Sequence, residues 1–297
     1  MVAVLFGSLV AACDSSNVGP PDELQVLKVP SSEADTEALL AWAENVIAGR
    51  CMVSKGYSFA VSVFESSASK RRDPLDELYG TSDIEEARER GYGINQVFHA
   101  GGEAAPDPNR AYLASLSKED RRRFDVAYFG PSEAVVNVDT AEGRFSVGAE
   151  GCLADARSQL YGGIEEWAPL DVWVTGLDSQ VYATVVRDPG YKTTLRKWRQ
   201  CMVGLKHSAA DPGASRERVA ELARSLNQTK AAQLERTVAV ADAVCNKESG
   251  LRHRAGELHQ SHAAEVLRDN QDRAADYQRR RNAAVAVARD LVVEVSK

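Results

Sequence analysis

The chain has 297 residues, enough to bury the core of one large domain or of two ordinary ones. Its 44% hydrophobic and 27% charged residues are a globular composition and exclude wholesale disorder. At 7% aromatics, with Ala, Leu, Arg and Glu abundant, helices are favoured over sandwiches. A formal net charge of -7 removes any electrostatic reason to expect nucleic acid as a partner.

The chain opens with an unbroken run of small and apolar residues, Val2 to Ala12, that ends at Cys13. Eleven residues rise only about 16 Å as a helix, half a bilayer core, so the run has the length of a signal-peptide core and not of a membrane span. Leu9-Val10-Ala11-Ala12-Cys13 resembles the lipobox of bacterial lipoproteins, in which small residues let a peptidase reach the bond before a lipid-modified cysteine. The expectation is a signal peptide over 1–12, acyl chains such as palmitate on Cys13, and a flexible tether over 13–31 that includes Gly19-Pro20-Pro21. A signal peptide starts with Lys or Arg, and none precedes Cys13. Either the start lies upstream of Met1, or Val2–Ala12 is a buried element carrying an ordinary apolar cysteine.

With Cys13 committed to lipid, Cys51, Cys152, Cys201 and Cys245 remain, an even number that points to disulfides in an exported chain and allows three pairings. Cys51 and Cys201 both begin Cys-Met-Val after an apparent helix, whereas Cys152 and Cys245 both lie beside Ala-Asp. These matched contexts read as a weak duplication, residues 32–165 and 188–260, and favour Cys51–Cys152 and Cys201–Cys245. Four buried free thiols are the alternative. No CxxC occurs, so zinc is not expected.

In chain order, Leu39, Leu40, Ala43, Val46, Ile47 and Cys51 make one helical stripe over residues 32–52, with Ser32, Asp35 and Thr36 as cap candidates. Tyr57 to Val63 is expected to be a short strand or an extended segment. Residues 65–110 are polar and broken, with one short helix at Asp83 to Arg90. Ser117 caps Lys118 to Tyr128, and Ala134–Val138 with Arg144–Val147 form a β-hairpin. Helices follow at Cys152–Tyr161 and Leu170–Val186. Asp188-Pro189 starts another, with Tyr191, Leu195, Trp198 and Met202 on its apolar face, and Ser215 caps the next. From Thr229 onward the pattern predicts one long helix, or two bent near Gly250, folded back as a hairpin or projecting as a stalk. The fold class is therefore mainly α, with two disulfides, a small β-hairpin and a long C-terminal helix or helical hairpin over residues 32–297.

Cys51-Met52-x-x-x-Gly56-Tyr57, Asp107-Pro108-Asn109-x-x-Tyr112-Leu113, Gly151-Cys152-Leu153, Asp188-Pro189 before Trp198-x-x-Cys201-Met202, and Val240-Ala241-Asp242-x-x-Cys245 together resemble a group of secreted or lipid-anchored helical proteins of actinobacteria. The basic residues, 10 Lys against 26 Arg, resemble those of high-GC bacteria. The resemblance implies export, helices and the same disulfide pairing, and it implies no reaction. The second Cys-Met element departs from the first where Lys206-His207 replace Gly56-Tyr57.

No P-loop, GxGxxG, GxSxG or HExxH is present, so no catalytic residue, metal ligand or cofactor is assigned. His259 and His262, with Glu257 or Glu265, have metal-like spacing but read better as residues of a solvated helix. Glu165-Glu166 beside Trp167 suggests sugar chemistry, yet adjacent helical residues point about 100° apart. Arg121-Arg122-Arg123 and Arg279-Arg280-Arg281 are diluted by nearby acids. The expected protein is a lipid-anchored binding or structural component on the extracytoplasmic face of the cell membrane. Its partners would be membrane lipid through Cys13 and an envelope protein or polymer. The alternatives are an envelope hydrolase with a site built from loops 65–110, or a docking stalk marked by an exposed apolar stripe on residues 260–297.

Overall fold

Most helix starts in this chain are set by a short polar side chain that accepts from the first free backbone N–H groups. The computed structural model describes residues 24–30, 35–63, 73–94 and 107–297, and they form twelve helices and two small sheets. Helix α1, Thr36–Ser54, is capped by Asp35. Three helices begin with Asp followed by Pro at the first position: α2 (Pro74–Tyr79), α8 (Pro189–Gly204) and α9 (Pro212–Ala223). Proline suits that position because its φ is already helical and it has no N–H to leave unpaired. Helix α9 is thus capped by Asp211, which accepts from Ala214 N at 2.8 Å. Ser215, expected as the cap, lies inside the helix, 3% exposed. Helices α3 (Ile84–Arg90) and α5 (Lys118–Phe129) start on Asp83 and Ser117 as their sequences indicate. The polar stretch 65–110 holds α2 as well as α3, and α4 (Arg110–Ser115) follows from its last residue.

Beyond Thr229 there are three helices: α10 (Gln228–Ser249), α11 (Leu251–Asp269) and α12 (Gln271–Val295). Gly250, left-handed at φ 71°, separates the first two. Asn270 separates the others, at φ -122° with its amide donating to Val266 O. The remaining helices are α6 (Cys152–Tyr161) and α7 (Ile164–Val185).

Strand β1, Leu24–Val26, pairs parallel with β2, Phe59–Val61, and Trp42 Nε1 donates to Lys28 O at 3.1 Å. Residues 24–30, placed in a flexible tether by composition, are therefore part of the folded body. On the other edge of β2, the Asn109 side chain bonds both the N–H and the C=O of Ala60, at 2.8 and 2.9 Å, as a third strand would. Strands β3 (Val135–Thr140) and β4 (Gly143–Gly148) form the hairpin, joined by only Ala141-Glu142, with Asp139 and Arg144 paired across it.

The buried apolar residues fall into two clusters. The first joins α1, β2, α6, the start of α7 and the C-terminal half of α12 around Trp42, Met52, Leu160, Trp167 and Ala288. The second joins α2, α3, the end of α7, α8, α10 and α11 around Tyr79, Tyr191, Trp198, Met202 and Leu251. Helix α7 spans both, with Trp167 in one and Val185 in the other. Helix α12 lies parallel to α1, tied by Arg281, in mid-α12, to Glu37 at the start of α1 and by Arg50–Glu294 near the ends of both. Its Ala284, Ala288 and Leu291 are buried there, so it is neither a projecting stalk nor an exposed apolar stripe.

Candidate functional site

The disulfides join Cys51 to Cys152 and Cys201 to Cys245, each with Cα atoms 5.5 Å apart, one in each core. Cys13 lies outside the described residues. The two Cys-Met elements end their helices by the same turn. Tyr57 N bonds Met52 O at 3.1 Å and Gly56 N bonds Val53 O at 2.9 Å. The counterparts are His207 N to Met202 O at 2.9 Å and Lys206 N to Val203 O at 3.0 Å. The turn needs a left-handed residue. Gly56 supplies it at φ 84°, and Lys206 supplies it at φ 64°, the single non-glycine residue with positive φ among the described residues. The likeness stops at this turn. Cys51–Cys152 and Glu44–Arg157 join α1 and α6 in antiparallel order, whereas Cys201–Cys245 and Trp198–Asp242, both 44 apart, join α8 and α10 in parallel. A duplication over 32–165 and 188–260 is therefore reduced to one repeated helix end.

The second core encloses the most unusual polar groups of the chain. Asp242, 1% exposed, accepts from Trp198 Nε1 at 2.8 Å and from Tyr92 Oη at 2.9 Å, and Tyr92 Oη lies 3.1 Å from Ser215 Oγ. Burial pushes the Asp242 carboxyl up to about 6 despite these donors and the nearby Arg216. Beside it, Asn246 donates to Tyr79 O and accepts from Arg252 N. The Arg252 guanidinium holds Asp76 and Asp73, both at 2.6 Å. These bonds fasten α2 and α3 to α10 and α11.

His259 bridges Tyr79 Oη, 3.0 Å from Nδ1, and Asp178 Oδ1, 3.3 Å from Nε2, in the outline of an acid–base relay. Tyr79, however, is wholly buried among Tyr182, Tyr191 and the His259 ring itself, so no substrate atom can reach its oxygen. The trio pins α2, α7 and α11 together. His262 and His253 pair only with Glu265 and Glu257 on their own helix, and no cluster of metal-ligating side chains occurs among the described residues. Glu165 and Glu166 fall in the first turn of α7, where negative charge suits the helix end. Both arginine runs are engaged. Arg121, Arg122 and Arg123 pair with neighbouring acids. Arg279 holds Asp276, Arg280 caps α6 through the carbonyls of Tyr161 and Gly162, and Arg281 holds Glu37.

One place with room for a ligand is the groove where the hairpin tip crosses α7. Two adjoining hollows of about 350 and 250 Å³ share Thr140, Glu142, Val172 and Gly176 as walls, and together they reach the size of ordinary ligand sites. Gly176 sits in mid-helix, and a methyl group added there would meet no atom within 4 Å. Glycine costs a helix about 1 kcal/mol relative to alanine, so packing does not account for it. On one flank Trp173 carries the Arg273 guanidinium 5.0 Å from its ring centre, and Arg273 also donates to Pro169 O at 2.6 Å. On the other flank stand Phe145, about half exposed, and Asp171, whose carboxyl burial raises above the usual range while Arg157 opposes the shift. No family model matches this chain, and neither does any curated protein or solved structure.

The groove offers aromatic faces, hydroxyls, an amide and carboxylates, a set that binds by stacking and hydrogen bonding. Sequence patterning gives little warning of it, because Trp173, Gly176 and the hairpin tip meet only through the tertiary fold. The one local sign is a glycine within an otherwise good helical pattern.

Proposed function

We propose that the chain is an exported protein, tethered by lipid on Cys13 to the outer face of the cell membrane, that binds an envelope component in the groove under its hairpin. The observation that carries this reading is the pair of disulfides. Such bonds persist in oxidising compartments outside the cytosol, and they consume four of the five cysteines, which sets Cys13 apart at the end of its apolar run. Among the described residues no helix is long and apolar enough to cross a membrane, which is compatible with a lipid anchor. The first described strand starts at Leu24, and the eleven residues from Cys13 to it can span at most about 40 Å, so an anchored domain would stay close to the membrane. Hydroxyl and amide groups with charges of both signs around the Phe145 and Trp173 rings suit a neutral, hydroxyl-rich ligand such as a wall glycan. Of the loops considered for a hydrolase site, 65–110, residues 65–72 and 95–106 lie outside the described residues.

Mass spectrometry and fractionation of the protein from its native membrane test the anchor. Lipid on Cys13 and release of Cys13→Ala from the membrane are expected, and an unmodified Cys13 overturns it. For the groove, soluble wall-glycan fragments are expected to perturb tryptophan fluorescence in the wild type but not in Gly176→Gln, which fills the floor. Equal responses in the two proteins would remove the groove from the reading.

A further inference from the structure

The left-handed lysine of the second Cys-Met turn has no structural need to be lysine, since the first turn makes the same hydrogen bonds with Gly56. Strained backbone held in place by its surroundings gathers at functional sites, and here the strained residue faces a cavity. A hollow of about 110 Å³ is lined by Lys206, His207 and Arg218, with an apolar floor that includes Val219, Leu234 and Val238. No carboxylate is among its lining residues, of those described. Arg218 is steadied at the rim by a hydrogen bond from Nη1 to Ser208 O at 3.2 Å, and the nearby Glu235 is turned away, accepting from Ile94 N at 2.7 Å. The two residues that distinguish the second turn from the first, Lys206 and His207, are therefore both walls of a cationic, apolar-floored pocket.

We infer that this pocket binds a small organic anion, with its carboxylate against Lys206 and Arg218 and a short apolar body against the Val219 and Val238 floor. Paired cations at the mouth and aliphatic side chains beneath match that division of the ligand. A bare inorganic anion would leave the floor unused, and a neutral molecule would leave the cations unused. The site is separate from the hairpin groove and does not depend on the Cys13 anchor.

The test is a titration of the full-length protein with butyrate, followed by amide chemical shifts, with inorganic phosphate and butanol in parallel. Butyrate is expected to give saturable shifts centred on residues 206–209 and 218–219, with butanol giving none and phosphate weaker ones. Lys206→Gly and Arg218→Gln should each weaken butyrate roughly tenfold, the loss of one charge-assisted contact. Lys206→Gly should at the same time raise the melting temperature by about 2 °C, because glycine relieves the left-handed strain. Opposite signs in binding and stability separate a ligand role from a structural one. Undiminished butyrate binding in both variants, tighter binding of phosphate than of butyrate, or no saturable butyrate binding in the wild type would each overturn the inference.

Discussion

Asp242 is the residue whose environment departs furthest from what its sequence context announces. It lies on a helix in an ordinary Ala-Asp-Ala setting, yet Tyr92 and Trp198 reach it from the segment after α3 and from α8, and burial raises its carboxyl to about 6. A raised acid binds its proton more tightly in the folded state than in the unfolded chain. Folding stability should therefore increase as the pH falls from about 7 toward 4 and be lost as the pH rises through 6. For a carboxyl raised from about 4 to about 6, the stability at stake across that range is about 3 kcal/mol. Urea midpoints of wild type and Asp242→Asn between pH 4 and 7.5 should show this slope in the wild type and a much flatter one in the variant. Equal slopes would show that another group titrates.

At the scale of elements, helix ends are legible where the chemistry is local. Asp35, Asp83, Ser117 and Asp188 each cap the helix that their spacing indicates. Misreadings arise where two local signals compete. Ser215 precedes a clean apolar repeat, but Asp211-Pro212 one turn earlier starts α9, and the serine is drawn inside to bond Tyr92. The roles have different signatures. Asp211→Ala should cost about 1 kcal/mol through the lost cap, at every pH where the carboxylate is ionised. Ser215→Ala should cost up to about 2 kcal/mol by loosening the Tyr92 network, and it should also change the Asp242 pH slope, which denaturation across pH reports. The same competition hides α2, whose Asp73-Pro74 start lies in a stretch that looks broken, and the strand β1, whose three residues are too few for any period to show.

For the whole molecule, the disulfides close loops whose ends are 101 and 44 residues apart. Chain-entropy reasoning gives each about 4 to 5 kcal/mol, slightly more for the longer loop. Replacing Cys51 and Cys152 by Ala should thus lower unfolding stability by about 4 to 5 kcal/mol, and replacing Cys201 and Cys245 by about 4 kcal/mol, in denaturant titrations. Each cysteine pair belongs to its own core, but α7 runs through both and α11 continues into α12 across Asn270. A single unfolding transition is therefore expected. Two separated transitions would show that the cores fold independently.

The mainly helical class, most helix starts and the cysteine contexts can all be read from the chain alone, because caps, apolar stripes and flanking residues act within a turn or two. The turn at Lys206-His207 is equally visible there as the point where two similar elements diverge. That a lysine there keeps glycine's left-handed backbone shape follows only from the structure. So do the burial of Tyr79 and His259 away from any substrate, and the place of Gly176 on the floor of a groove beneath the hairpin. The His259 contacts, for instance, join side chains 81 and 180 residues apart. Burial and its consequences, a raised carboxyl or a closed cavity, are properties of the assembled neighbours and are not written in any local run of residues.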